Sequence, residues 1–155
     1  MIIRQAMPQD AAELAEFNMG IARETEDFEL IPEVIRAGVE SMIANPNRGF
    51  YLVVELDNGI QASLMVTYEW SDWRNGTFWW IQSVYVRPEY RGQGLYGTLY
   101  ERVKELAEQD ASVCGFRLYV ERNNIVAQKT YEKQGMSETE YLMYEALIDG
   151  LEYKR

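Results

Sequence analysis

A chain of 155 residues with 47% apolar and 26% charged side chains has the size and composition of one compact domain with its own core, and not those of a disordered segment. Its net charge of −10 argues against a nucleic-acid partner, which demands a dense basic surface. One cysteine and no histidine leave no internal disulfide and none of the usual zinc sets, and no stretch reaches the ~18 apolar residues of a membrane span. With no basic, apolar leader at the start, the expectation is a single domain over 1–155, cytoplasmic, without a metal, with Cys114 as a small core residue.

In chain order, IIRQA reads as a short strand. PQDAAELAEF starts a helix in which Asp10 caps and Glu13 reaches back, and Leu14, Phe17 and Ile21 share its face. After the acidic ETEDFEL, Pro32 suits a first helical turn, and Val34, Ile35, Gly38, Val39, Met42 and Ile43 keep a helical period. FYLVVEL, IQASLMVTYEW and TFWWIQSVYV, separated by DNG and SDWRNG, form an antiparallel meander. Leu95, Leu99, Val103 and Leu106 stripe a helix, GFRLYV is a strand, NNIVAQKTYEKQ is a helix closed by Gly135, and SETEYLMYEAL is mostly strand. The predicted order is β-α-α-β-β-β-α-β-α-β, a mixed α/β fold with a mostly antiparallel sheet.

The charge is uneven along this order. Residues 1–86 carry 5 basic and 13 acidic side chains, residues 87–133 carry 8 and 7, and the remainder carries 2 and 5. The one segment spared net acidity contains YRGQGLYG, with Gly92, Gly94 and Gly97 at the G-x-G-x-x-G spacing. A dinucleotide fold places its first glycine directly after the first strand of a parallel sheet. Here RPEYR intervenes, Pro88 ends the preceding strand, and that strand belongs to a meander. NAD is therefore disfavoured, although Glu121 stands about where a ribose-binding acid would. A glycine-rich loop entering a helix still presents consecutive N–H groups and a positive helix end to a pyrophosphate.

VYVRPEYRGQGLYGTLYERV together with LYVERNNIVAQKTYEKQGM resembles the GNAT superfamily of acyl-CoA-dependent N-acyltransferases. Arg91, Gly92, Gln93, Gly94 and Leu95 match that family's Arg/Gln-x-x-Gly-x-Gly/Ala signature. Its last position departs, since Tyr96 stands there and Gly97 follows one place late. The resemblance implies a sheet splayed at a cofactor cleft and acetyl-CoA as cofactor. The backbone from Arg91 to Tyr96, with Gly97, would wrap the pyrophosphate, and the strand at Val84, Tyr85 and Val86 would pair with the pantetheine arm. It further implies that Asn124 and Ala127 contact the cofactor and that Tyr131 lies beside the thioester sulfur. The competing reading of Tyr131 is a buried core aromatic.

Acyl transfer to an amine asks for one group that takes a proton from the amine and another that gives one to the departing thiolate. Tyr131 suits the second role. Many relatives carry a glutamate where this sequence has Gln82, which cannot act as a base and is retained only as a substrate contact. Glu69, Asp72 and Glu26 are the remaining carboxylate candidates, each equally readable as a solvated surface acid. Glu26, Asp27 and Glu29 of the acidic loop, with Trp70 of the meander, are candidates for holding a cationic amine by charge and cation–π contact; the tryptophans read equally as core or dimer surface. The expected partners are a small amine substrate and a second copy in a homodimer. The alternative to an enzyme is a module of the same fold that binds acyl-CoA as a sensor.

Overall fold

The computed structural model describes residues 1–155 as two compact units, one formed by Met1–Arg117 with Tyr153–Arg155 and the other by Leu118–Glu152. No helix is long and apolar enough to cross a membrane.

The first unit is built on a five-stranded sheet in the order β1-β2-β3-β4-β5, from β1 (Ile2–Gln5), β2 (Gly49–Leu56), β3 (Gly59–Ser71), β4 (Gly76–Val86) and β5 (Val113–Arg117). The first four strands are antiparallel and β5 joins β4 in parallel. Three helices accompany it: α1 (Ala11–Ile21), α2 (Pro32–Ala44) and α3 (Leu95–Glu108). Each buries most of the apolar face that its period predicts, although Val34 of α2 is exposed. Leu14 and Phe17 of α1, Val39 and Met42 of α2, and Tyr51 and Val53 of β2 fall in one buried cluster, and Leu95, Leu99 and Val103 of α3 are also buried. At ~1.5–3 kcal/mol for each fully buried large apolar side chain, this packing is the main support of the sheet.

Three local expectations are corrected. Asp10 does not cap α1; its carboxylate accepts from the Met7 amide at 2.7 Å and from both terminal nitrogens of Arg4 at 2.8 and 3.1 Å, while Glu13 pairs with Arg87. Arg4, on the preceding strand, takes the Asp10 carboxylate in place of the helix amides, and the distant Arg87 takes Glu13. Cys114 is exposed, because β5 pairs with β4 alone and forms the sheet edge. The strand expected over SETEYLMYEAL is not formed, so the sheet has five strands. That run is exposed, with Tyr141, Leu142, Met143 and Tyr144 at 63–90%, and extended backbone without a partner gains no ladder hydrogen bonds.

In the second unit the ordered element is α4 (Ile125–Lys133), capped by Asn124, whose Oδ1 accepts from the Ala127 amide at 3.2 Å. Gly135, at φ 89°, closes it as expected: its amide bonds the Glu132 carbonyl and the Met136 amide bonds the Tyr131 carbonyl. The final residues return to the first unit. The Ile31 amide donates to the Tyr153 carbonyl and the Arg155 amide to the Glu29 carbonyl, both at 2.8 Å, and Lys154 bridges Leu30.

Candidate active site

Two features of β4 define the site. On one side the strand runs along β3 over its whole length, but β5 pairs only with Thr77–Trp80. From Ile81 to Val86 the other backbone edge therefore carries no strand, and the sheet splays there as expected. Ser63 pairs with Tyr85 and Met65 with Gln82, so Ser83 and Val84 together oppose Leu64. This is a β-bulge, and Ser83 adopts the left-handed conformation at φ 50°. A bulge kinks the strand and turns its backbone groups off the ladder, here one residue before Val84, Tyr85 and Val86.

The chain leaves this edge through a single 3-10 turn, Pro88–Tyr90, and reaches the glycine loop. Gly92 and Gly94 hold φ of 77° and 79°, values that a side chain at Cβ penalises. A Cβ built at Gly92, Gly94 or Gly97 would meet nothing within 4 Å. These glycines thus line open space, as a cradle for a ligand requires. Gly94 is the N-cap of α3 and offers no capping side chain, so the first helical turn, Leu95 to Gly97, directs its orphan N–H groups and the positive helix end outward. Tyr96, where the signature expects a small residue, lies with its ring 6.2 Å from that of Tyr100. The Arg91 amide turns back to the Pro88 carbonyl and its Nε donates to the Val86 carbonyl at 2.8 Å, while Gln93 reaches the Glu89 carbonyl at 3.4 Å.

The acidic loop meets this region. After α1 one π-helical turn, Ala22–Glu26, ends at Asp27 with φ 56°. Glu24 accepts from the Arg91 guanidinium at 2.7 Å, the guanidinium lies 5.6 Å from the Tyr85 ring centroid, and Tyr85 packs on Phe17 at 4.9 Å and against Gly20. Tyr85 is thus held from both sides beside the splayed edge. Glu29 is neutralised by Arg23 at 2.9 Å. Glu26 and Asp27 are the loop carboxylates left outside any ion pair.

Other candidates sit elsewhere. Gln82 donates to Thr67 Oγ1 at 2.6 Å. Glu69 accepts from Trp80 Nε1 at 2.7 Å and from Arg117 at 2.9 and 3.1 Å; these bonds, Trp80 first, hold its carboxyl below the usual range. Glu69 pairs with Phe78 and Trp70 with Thr77, and at ~3.3 Å per residue both stand roughly 15–20 Å along β4 from the bulge. Trp70 and Trp73 are exposed, whereas Trp79 is buried beside Phe50 and Tyr68. In the second unit Tyr131 is half-buried, and burial pushes its phenol up. Three site features escaped the sequence: the Ser83 bulge, the Glu24 to Arg91 pair, and Arg117 on Glu69. No local residue pattern signals them, since each depends on strands or loops distant in the chain.

Residues 11–136 match the acetyltransferase (GNAT) family. The chain belongs to the GNAT acetyltransferase family. It is 29% identical over 147 residues to a thialysine N-epsilon-acetyltransferase from Sus scrofa, covering 87% of this chain and 83% of that one. Among solved structures, a possible acetyltransferase from Clostridium difficile 630 superimposes with a TM-score of 0.89 at 44% identity, covering 95% of this chain and 97% of the other. A predicted acetyltransferase from Clostridium acetobutylicum, solved with acetyl-CoA, superimposes with a TM-score of 0.75 at 22% identity, over 93% and 95% of the two chains; at that identity the likeness is one of fold.

Proposed function

We propose that this protein transfers the acetyl group of acetyl-CoA to a primary amine, with a small cationic amine as acceptor. The observation that carries the reading is the unpaired, bulged edge of β4 running directly into an open glycine cradle at the start of α3. An amide-bearing arm suits the first part and a pyrophosphate the second. Val84, Tyr85 and Val86 would hold the arm, and the backbone from Arg91 to Tyr96, with Gly97, would hold the phosphates. Hydrogen bonds to a charged partner contribute ~1.5–3 kcal/mol each, enough for a few amides to outweigh an acidic surface that salt screens beyond ~10 Å. Asn124, Ala127 and Tyr131 enter as the second cofactor segment through the family resemblance.

When bound, acetyl-CoA would supply the acetyl group as a thioester. The chain must then manage two protons. A primary amine with a pKa near ~10.4 is charged at neutral pH and attacks only after losing a proton. Gln82 cannot take it, and Glu69 is bound to Trp80 and Arg117 with its carboxyl held low, which weakens it as a base. Asp72 accepts from the Trp73 amide at 2.9 Å in the turn between β3 and β4, at the end of β4 away from the bulge. That leaves Glu26 as the candidate, acting directly or through water. Burial raises the Tyr131 phenol, so it keeps its proton at neutral pH and is available to donate it to a departing thiolate. The name of the curated relative places its acetylation on an ε-nitrogen, and the uncompensated Glu26 and Asp27 favour an acceptor of that cationic kind.

The Gln82 to Thr67 bond favours a second reading, in which the fold binds acyl-CoA without turnover. Calorimetry with acetyl-CoA and NAD, followed by thiol release over a panel of amines, separates the two. The expected result is acetyl-CoA binding with thiol release on cationic amines. Binding without release on any amine supports the sensor, and NAD binding without acetyl-CoA binding overturns both.

A further inference from the structure

Arg91 stands where the two halves of the proposed site meet. The Val86 carbonyl and the Arg87 amide belong to one trans peptide and so point opposite ways. The Arg87 amide bonds the Gln61 carbonyl of β3 at 2.9 Å, which leaves the Val86 carbonyl on the unpaired edge, where Arg91 Nε donates to it at 2.8 Å. From there Nη2 of the same guanidinium donates to Glu24 at 2.7 Å. A single side chain at the entry to the glycine loop thus joins the cofactor edge of β4 to the acidic loop after α1. That loop is loosely tied at this point. Its exit rests on a long bond from the Phe28 amide to the Ala22 carbonyl at 3.4 Å, it turns through the left-handed Asp27, and Glu24, Glu26, Asp27 and Glu29 crowd like charge along it.

We propose that Glu24 is a positioning residue: through Arg91 it ties the loop bearing Glu26 and Asp27 to the glycine cradle, so that a phosphate in the cradle fixes those two carboxylates for the amine. The inference rests on the acetyl-CoA reading above and adds the element that joins its two substrates. Stability does not account for the pair. Its side chains are 45% and 41% exposed, and exposed ion pairs contribute little to folding. The bonds to Val86 and Glu24 use part of a guanidinium fork whose remaining N–H groups suit phosphate oxygens. The phosphate is therefore held without displacing Glu24, and an Arg91 fixed on three sides no longer moves with the loop. Tyr85, its ring centroid 5.6 Å from the guanidinium and its ring packed on Phe17, supplies the rigid side. A loop ordered in advance relieves the amine of that entropic cost, so the cofactor raises amine affinity, and by linkage the amine raises cofactor affinity by the same factor.

Hydrogen exchange on the intact protein, with and without saturating CoA as the probe, tests the link. CoA is expected to slow the amides of residues 91–97 and, through Glu24, those of residues 22–28 by ~5-fold or more, the lower end of ordinary coupling between sites. In Glu24→Ala the effect on 91–97 should persist and the effect on 22–28 should vanish. Arg23→Ala, which breaks the pair with Glu29 and leaves Arg91 untouched, should keep both. Both positions are exposed, so neither change should unsettle the fold. In thiol release, Glu24→Ala should raise KM for cationic amines ~5-fold, the loss of the same coupling. Slowing confined to 91–97 in the wild type overturns the link and leaves the cofactor reading intact. Loop slowing that survives in Glu24→Ala, or that is lost in Arg23→Ala as well, overturns it too, as does an unchanged KM. No slowing at 91–97, or no thiol release on any amine, overturns the reading on which the link rests and the link with it.

Discussion

The body of the chain, Met1–Arg117, and the unit Leu118–Glu152 each carry candidate residues, in opposite physical states. In residues 1–117 every strand has a ladder partner, the helices bury most of their apolar faces, the Ser83 bulge is fixed by the pairing of β3 with β4, and the glycine cradle opens the packed helix α3. In residues 118–152 one nine-residue helix holds itself by its own cap and closing glycine, and the apolar residues around it stay exposed. Local chemistry can shape α4, but only tertiary packing fixes a constellation. The roles proposed for Gly92 and Gly94 therefore draw on their observed left-handed backbone and the open space beside them, whereas those proposed for Asn124 and Tyr131 draw on resemblance.

The largest expected effect tests the body. Gly94→Asp puts a side chain and a negative charge into the open cradle. Aspartate tolerates the left-handed conformation at a cost of ~1 kcal/mol, and its Cβ meets no neighbour. We expect acetyl-CoA binding to fall by ~10³-fold or more in calorimetry while the thermal transition moves little. Retained binding would mean that the cradle holds no phosphate.

Tyr131→Phe tests the second unit. If the phenol donates the proton to the leaving sulfur, kcat falls ~10²-fold with little change in acetyl-CoA affinity, within the range of general-acid contributions. Its phenol is raised by burial, so the activity that depends on it should persist at neutral pH and decline only above the ordinary tyrosine range near ~10. Unchanged turnover returns Tyr131 to a packing role and leaves the body as the sole owner of the chemistry.

These two tests differ in how visible their premises were in the sequence. YRGQGLYG announced the cradle because glycine is the residue that left-handed backbone demands, and the helices announced themselves by period. The bulge at Ser83 was silent, since it comes from register between β3 and β4 and not from a residue type that favours it. Asp10 reads as a helix cap and is the partner of Arg4 and the Met7 amide, because a guanidinium offers the buried Asp10 carboxylate a stronger, charge-assisted bond than a local amide alone. SETEYLMYEAL read as a strand for its aromatic and aliphatic content; strand formation depends on a partner, and composition does not specify one.

Asp10→Asn measures how tightly the body is held. The Asp10 carboxyl is lowered first by its bond to Arg4, then by the Met7 amide, against the opposing effect of burial. A depressed folded value means that the stabilisation is complete above the ordinary value of 3.8 and is lost as pH falls through the folded value. At pH 7 the variant should lose ~2 kcal/mol in denaturant unfolding, and the gap from wild type should close below pH ~4. A gap independent of pH would show that the charge contributes nothing.

The smallest effect concerns the acidic loop, where the structure narrows four carboxylates to two. Glu24 is paired with Arg91 and Glu29 with Arg23, so Glu26 and Asp27 alone remain to attract a cation. Exposed charges steer a partner over a distance that salt shortens, from ~10 Å at 0.1 M to ~3 Å at 1 M. Glu26→Gln with Asp27→Asn should therefore raise KM for a dicationic amine by ~3–10-fold and flatten the salt dependence of its kcat/KM, with a smaller change for a monocation. Glu26→Gln alone separates the two roles given to that residue: a base would lower kcat for every amine and shift its pH profile, whereas a steering charge would move KM alone. If uncharged or anionic amines match the dication at low salt, the loop recognises nothing, and its one contribution to the site is the hold of Glu24 on Arg91.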